Sequence, residues 1–429
     1  MPNKKSQVKN EIIRRIDRSR DEVFQTIQKL VQIPSVVGQE GEAQRWMANL
    51  YTSLGLDVVT MVPEKESLKK HPAYVETGLP YDQSRPNIIG VFSPSNARSK
   101  RSLILNGHID VVSPEPVETW DFDGPWSGHI DGNRMYGRGS ADMKSGLLSN
   151  FFALKSVFAL GLRPKGRIIL ESVIEEEAGG SGGTLATLVA GYQADVMIIP
   201  EPLNLRVVTA HPGINYFRVK VYGKTAHAGW SHYGVNAIGK MMKIYDRLIQ
   251  LDRQRAERNR NDFFEKETGR SCNLNIGTLK AGDWPSTVAG WAQLEARVSY
   301  LPLEKEEDIK KEVEAAVEEV AHDDEWLREH LPHVEWFGWR AQPWVQDPEI
   351  PVIRQFRRSA SEILSDGPEV TASTAGLDTR FAPFFGVPSF VFGPIGGLLH
   401  SSNEYVELDS VIKTIKVLAA FIVDWCDVE

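Results

Sequence analysis

Four short apolar runs, each ending in polar or ionisable residues, constrain the fold of this chain more than any other feature. They lie at residues 102–105, 167–173, 196–199 and, much later, 389–392. Runs of this length, rich in Ile, Leu and Val, read as strands, while a longer stretch such as 145–160 has the apolar density of a helix. Strands alternating with helices predict an α/β fold: a mainly parallel sheet with flanking helices, in which ligands gather at the carboxyl ends of the strands. The residues just past each run are therefore where chemistry is expected.

Towards the N-terminus, Val8, Ile12, Ile16, Val23, Ile27, Leu30 and Val31 recur at three- to four-residue steps and predict one or two amphipathic helices. A helix over 41–54 and a strand over 57–62 follow. Residues 63–86, rich in Lys, Pro and Gly, read as an exposed insertion. Between 207 and 324 the texture changes to strands at 215–222, 274–279 and 290–300 with helices at 235–251 and 304–320, which predicts an inserted α+β domain. The chain then divides into 1–206, 207–324 and 325–429, the outer segments forming one domain. In the strand 290–300, Ala292, Leu294, Ala296 and Val298 alternate with Gln293, Glu295, Arg297 and Ser299, so Arg297 stands on the polar face.

The 429 residues carry 49 basic and 57 acidic side chains, a net charge of −8, so nothing gathers phosphates and nucleic acid is not an expected partner. Two cysteines, Cys272 and Cys426, are too few for a disulfide framework or a thiolate zinc site, and a reducing cytoplasm fits. The charged N-terminal residues lack an uninterrupted apolar run, so neither a signal peptide nor a membrane span is expected there.

The chemistry is carried by residues beyond the strand ends. His108 and Asp110 follow the run 102–105; a His and an Asp two apart can serve as a metal ligand and the acid that orients it. Asp142 sits in Gly137-Arg138-Gly139-Ser140-Ala141-Asp142-Met143-Lys144, a glycine-flanked turn before a helix, where an N-cap is the ordinary use. Glu175, Glu176 and Glu177 follow the run 167–173 and precede Gly179 and Gly180, a costly place for three like charges without cations. Glu201 lies between Pro200 and Pro202, and His400 follows a Gly-rich stretch. Each alone is ambiguous. Together they supply two histidines and at least three carboxylates, donors suited to a pair of divalent ions such as zinc, manganese or cobalt.

In this order and spacing, the motifs resemble the co-catalytic zinc hydrolases that include acetylornithine deacetylase, succinyl-diaminopimelate desuccinylase, aminoacylase-1 and carboxypeptidase G. The resemblance runs from about residue 30 to the end. It implies that Asp142 bridges two metal ions, most simply zinc, with His108 and Glu201 completing one site and Glu177 and His400 the other. Asp110 would orient His108, and Glu176, the acid just before the metal-bound one, would be the general base acting on a metal-bridging water. The resemblance implies this register because the family's pattern of acid, Glu, Glu, one residue, Gly-Gly is met by Glu175 to Gly180.

The same resemblance makes the inserted domain a lid and a dimerisation domain. Within Gly223-Lys224-Thr225-Ala226-His227-Ala228-Gly229, His227 would reach the partner subunit's active site, and Arg297 would bind a substrate carboxylate. The implied protein is a cytoplasmic homodimeric deacylase that cleaves the amide of a small N-acyl amino acid or related N-acyl amine. Its alternatives are a dipeptidase or carboxypeptidase-like metallopeptidase, a deformylase or deaminase on the same scaffold, and a silent binding protein. The turn Gly282-Asp283-Trp284-Pro285-Ser286-Thr287-Val288 departs from the Asn-containing turn of many such proteins, and neither 63–86 nor Trp336, Trp339 and Trp344 have an assigned counterpart. Asp378 and Arg380 lie in a segment that resembles a stretch beside the site and receive no direct role.

Overall fold

A computed structural model describes residues 4–94 and 101–429; the first three residues of the charged N-terminal segment lie outside them. The central sheet has eight strands in the order Asp57–Met61, Asn87–Phe92, Ile168–Val173, Leu103–His108, Met197–Ile199, Ser389–Val391, Val207–Val208, Val370–Thr371. The four runs that stand out in the sequence are its four adjacent central strands, and each pairs in parallel with the next. Antiparallel pairing is found at the Asp57–Met61 edge and where Val391 meets Val208.

Because side chains alternate across a strand, each central strand feeds two cores. Leu103, Leu105, Ile168, Leu170, Ile198 and Phe390 pack with the helices Ser145–Phe158 and Leu408–Cys426 on one face. Ile104, Ile169, Met197, Ile199 and Val391 meet Leu185, Leu188 and Phe381 on the other. Ser145–Phe158 is buried along nearly its whole length, as a helix without a polar face must be. A sheet covered on both faces leaves its carboxyl edge as the place where polar residues can collect. Among the described residues no helix is long and apolar enough to cross a membrane.

A second, antiparallel sheet orders Leu274–Ala281, Trp291–Tyr300, Gly213–Tyr222 and His333–Ala341. Phe217, Val219, Val221, Leu294 and Val298 pack beneath the helices Ala237–Arg258 and Glu306–Asp323, while Gln293, Glu295 and Arg297 stay half-buried on the opposite face. Two strands fall across the boundaries expected at 207 and 324: Val207–Val208 belongs to the large sheet and His333–Ala341 to the small one. The first is only a two-residue parallel pairing, and the second mixes aromatic and charged residues without clean alternation, so neither declares its sheet by pattern. The two connections between the sheets run side by side, with Ala210–His211 paired to Trp344–Val345.

The insertion expected at 63–86 carries many exposed residues, but it is anchored to the body of the fold. Leu68, Val75 and Arg85 are buried, and Arg85 forms a two-pronged pair with Glu40 at 2.7 and 2.8 Å. The segment folds over the turn that carries the three glutamates.

Candidate active site

The parallel strands deliver their terminal residues to one edge. His108 ends Leu103–His108, the glutamates follow Ile168–Val173, and Glu201 lies two residues beyond Met197–Ile199. Two groups of metal-type donors result, His108 with Asp142 and Glu201, and Asp142 with Glu177 and His400; within each, donor atoms lie within 4.8 Å of one another. Asp142 is common to both: its Oδ1 is 3.1 Å from His108 Nε2 and its Oδ2 3.4 Å from His400 Nε2. Glu201 stands 3.5 Å from His108 Nε2, and Glu177 3.1 Å from His400 Nε2.

Such a gathering of buried acids is unfavourable unless cations accompany it. Burial, with Asp142 and Glu177 nearby, pushes the Glu201 carboxyl up to about 7 despite the help of His108. Asp142 behaves oppositely: burial disfavours its charge, but hydrogen bonds from both histidines hold it well below the usual carboxylate range. Imidazole nitrogens and carboxylate oxygens converging on two points, with one carboxylate shared, are a donor set that fits a pair of divalent ions.

Asp110 does its work differently from the sequence expectation. His108 Nδ1 lies 2.9 Å from the backbone carbonyl of Asp110, whereas the carboxylate is 3.7 Å from that nitrogen. The Asp110 carboxylate instead accepts the amides of Glu176 and Glu177 at 3.2 and 3.1 Å. One residue thus orients the histidine through its main chain and fixes the acid turn through its side chain.

That turn is tightly wound. Glu175 and Gly180 both take left-handed backbone angles, with φ of 69° and 64°, and a Cβ on Gly180 would lie 2.2 Å from Asp378 Oδ1. Glu175 is held away from the donor groups: its Oε1 accepts from Tyr81 Oη at 2.9 Å and from Gly182 N at 3.2 Å. Glu176 is buried, at 6% exposure, and belongs to neither donor group. Burial first, then the Asp378 carboxylate, raises its pKa well above the ordinary value. The three consecutive acids therefore have three different surroundings: a structural tie, an unattached carboxyl, and a place beside His400.

Several residues to which the sequence analysis gives no direct role hold this arrangement. The buried Glu404 accepts from Arg138 Nη1 at 2.6 Å and from the amides of Gly139, Ala141 and Asp142 at 3.2, 3.0 and 3.0 Å, clamping the turn that presents Asp142. Arg380 donates to the Gly179 carbonyl at 2.6 Å and to that of Leu377 at 3.1 Å, tying the glutamate turn to the segment after Val370–Thr371. Arg138 and Arg380 stand in glycine-containing motifs, whereas Glu404 carries no pattern of its own.

His227 and Arg297 lie outside the two donor groups. His227 is exposed on the smaller unit, its ring 5.4 Å from that of Trp230 and tilted by 50°, and its Nδ1 accepts from Gly229 N. Arg297 is half-buried; its Nη2 reaches the Thr374 carbonyl at 3.4 Å and its Nε is buried without a partner. Within one chain, only Arg297 of these two makes contact with the unit that holds the donors.

Residues 104–424 match the family described as Peptidase family M20/M25/M40. The chain is 28% identical to the N-formyl-4-amino-5-aminomethyl-2-methylpyrimidine deformylase of Halalkalibacterium halodurans, over 98% of each protein. It is 28% identical to the acetylornithine deacetylase of Vibrio cholerae over 76% of this chain and 81% of that one. In fold it resembles the dipeptidase Dug1p of Saccharomyces cerevisiae, with a TM-score of 0.78 at 18% identity over 98% of both chains. Human carnosine dipeptidase 1 gives a TM-score of 0.74 at 18% identity, over 97% of this chain and 99% of that one. The α/β expectation, a mainly parallel sheet with flanking helices, agrees with these folds. The chain is a metal-dependent hydrolase that acts on amide C–N bonds, and it belongs to peptidase family M20/M25/M40.

Proposed function

We propose that this protein removes a small acyl group from an N-acylated amino acid or related amine, using two divalent ions. His108, Asp142 and Glu201 would hold one, and Asp142, Glu177 and His400 the other. The observation that carries this reading is Asp142, a single carboxylate whose two oxygens face two separate His and Glu pairs. Zinc suits the mixed nitrogen and oxygen donors best, with cobalt or manganese as substitutes. Bound there, the ions would acidify a water molecule and polarise the amide carbonyl.

The chain's own groups do the remaining work. Glu176, unattached and shielded from bulk water, takes the proton of the attacking water and passes it to the departing amine. Asp110 keeps Glu176 and Glu177 in register through their amides, and Arg297 faces the substrate with its unmatched donors. Residues 213–341 act as a lid, hinged where Ala210–His211 pairs with Trp344–Val345.

The lid also makes a homodimer in this reading. Trp230, Tyr233 and Trp284 are 63%, 67% and 68% exposed, and the loop after His227 lies against the turn 284–288 through the Ala228 amide and the Ser286 carbonyl. Exposed aromatic groups gathered beside a histidine mark an interface that delivers that histidine to a partner's site. Changing Trp230 and Trp284 together to Ser is expected to give monomers with strongly reduced turnover. Equilibrium sedimentation checks it, and a parent protein that is itself monomeric at micromolar concentration removes the proposal. Cys272 and Cys426 are buried, unpaired thiols, in keeping with a cytoplasmic location.

A panel of N-acetyl, N-formyl and N-succinyl amines set against dipeptides tests the activity. We expect kcat/KM for the best N-acyl amine to exceed that for any dipeptide by at least about tenfold, a difference of about 1.4 kcal/mol in transition-state binding. Preferred cleavage of dipeptides would overturn the deacylase reading. N-formyl compounds belong in the panel because two deformylases are similar to this chain over 96–98% of its length.

A further inference from the structure

The open face of the smaller sheet carries a row of side chains that the reaction described above uses only in part. Strand register sets Asn275 opposite Arg297, Arg297 opposite Tyr216, and Tyr216 opposite Phe337, so the four stand in line across all four strands. With Thr278 and Glu295 they wall a cavity of 250 Å³. The Tyr216 and Phe337 rings lie 6.4 Å apart at 59°, forming an angled aromatic wall.

The row faces the catalytic unit. Arg297 reaches the Thr374 carbonyl, and Tyr216 packs edge-on against Trp339 at 5.7 Å. Trp339 in turn lies against Gly179, where an added Cβ would approach its ring to 3.4 Å, and Gly179 is two residues past Glu177. Trp339 thus links the row to the turn that carries the candidate base.

Its polar character is unusual for this face. The neighbouring Arg218 is neutralised by Glu295 at 2.7 Å and Glu335 at 3.2 Å. Arg297 has no carboxylate within ion-pair distance among the described residues, and its buried Nε has no partner. Arginine offers donors only, in one plane, and stacks on flat groups as readily as it pairs with acceptors. An aromatic wall beside an unmatched planar donor is matched by a flat ring with acceptor atoms on its edge. A substrate carboxylate would satisfy the Arg297 donors but leave the aromatic wall without a flat partner, and an aliphatic chain ending in an ammonium group would bring a second positive charge beside Arg297.

We propose that this row is the subsite for the amine half of the substrate and that it selects a nitrogen-bearing aromatic ring, held on Tyr216 and Phe337 with its acceptor edge towards Arg297 and Asn275. The proposal rests on the N-acyl-amine reading above and names the class of amine.

The test uses two ligands with the same acyl group, the N-acetyl derivatives of 4-amino-5-aminomethyl-2-methylpyrimidine and of ornithine. Each is titrated calorimetrically into metal-loaded Glu176→Gln protein, so that binding is read without turnover, and kcat/KM is measured on the parent. The pyrimidine compound is expected to bind the more tightly, and Tyr216→Leu to weaken it by about tenfold more than the ornithine compound. Phe337→Leu should act in the same direction and serves if Tyr216→Leu fails to fold, while Gln293→Ala, two residues from Glu295 on the same face, should alter neither ligand. Equal effects on both ligands, or tighter binding of the ornithine compound by the parent, would overturn the ring subsite. Binding of the pyrimidine compound through Tyr216 without turnover of any N-acyl amine would leave the subsite standing and remove the deacylase reading. Turnover of the pyrimidine compound, indifferent to Tyr216 and Phe337, would do the reverse.

Discussion

Glu176→Gln is expected to lower kcat by about 10²–10⁴-fold, the range over which a positioned general base contributes, while leaving bound metal and KM close to those of the parent. The substitution keeps the size and shape of the side chain and removes its ability to take a proton. It leaves the backbone untouched, so the Glu176 and Glu177 amides keep their bonds to Asp110 and Glu177 remains beside His400. Glu177→Gln makes the contrast, because that carboxylate is one of the donors: metal content should fall there along with activity. The pair separates a proton carrier from a ligand one residue away, a distinction that loss of activity alone does not make. Full turnover by Glu176→Gln would remove it from the mechanism and leave the three-glutamate turn without an identified base.

Much of this site is legible in the sequence because its geometry follows from strand ends. A parallel sheet collects at one edge whatever follows its strands, and His108, the glutamates and Glu201 each follow an apolar run directly. Asp142 and His400 are less directly placed, and only glycine-rich turns announce them. What the sequence hides are contacts between distant segments. Glu404 clamps the Asp142 amide from 262 positions away, and a lone glutamate carries no pattern. The three consecutive glutamates look equivalent as letters. Their roles diverge because Tyr81 and Gly182 tie Glu175 and Asp110 seats the other two.

Asp110 illustrates a finer limit. A His and an Asp two apart suggest a carboxylate bonded to the imidazole, and the residue types are right. The chain turns after His108 so that the Asp110 carbonyl reaches the ring first, which frees the carboxylate for two amides. Which atom of a residue acts is a matter of backbone path. The row Asn275, Arg297, Tyr216 and Phe337 is hidden for a related reason: it exists only once four strands, the last of them from beyond the expected domain boundary, are set in register.

Asp142→Ala is expected to abolish binding of both ions, taking metal from about two per chain to near zero, whereas His108→Ala and His400→Ala each chiefly lose one. The asymmetry follows from the sharing. Without the Asp142 carboxylate, His108 and Glu201 remain as one pair of donors and Glu177 and His400 as another. Two protein donors fall short of the three that catalytic zinc sites provide, so neither pair should retain an ion through purification. Each histidine variant still leaves Asp142 and a complete neighbouring group of three. Turnover should be lost in all three proteins, and elemental analysis separates Asp142→Ala from the two histidine variants where activity cannot. Circular dichroism checks that Asp142→Ala is folded; the Glu404 clamp should survive, since Arg138 and the amides of Gly139, Ala141 and residue 142 are all kept. Two ions retained by folded Asp142→Ala would mean that the shared carboxylate is not a ligand, and the two-ion mechanism would fall with it.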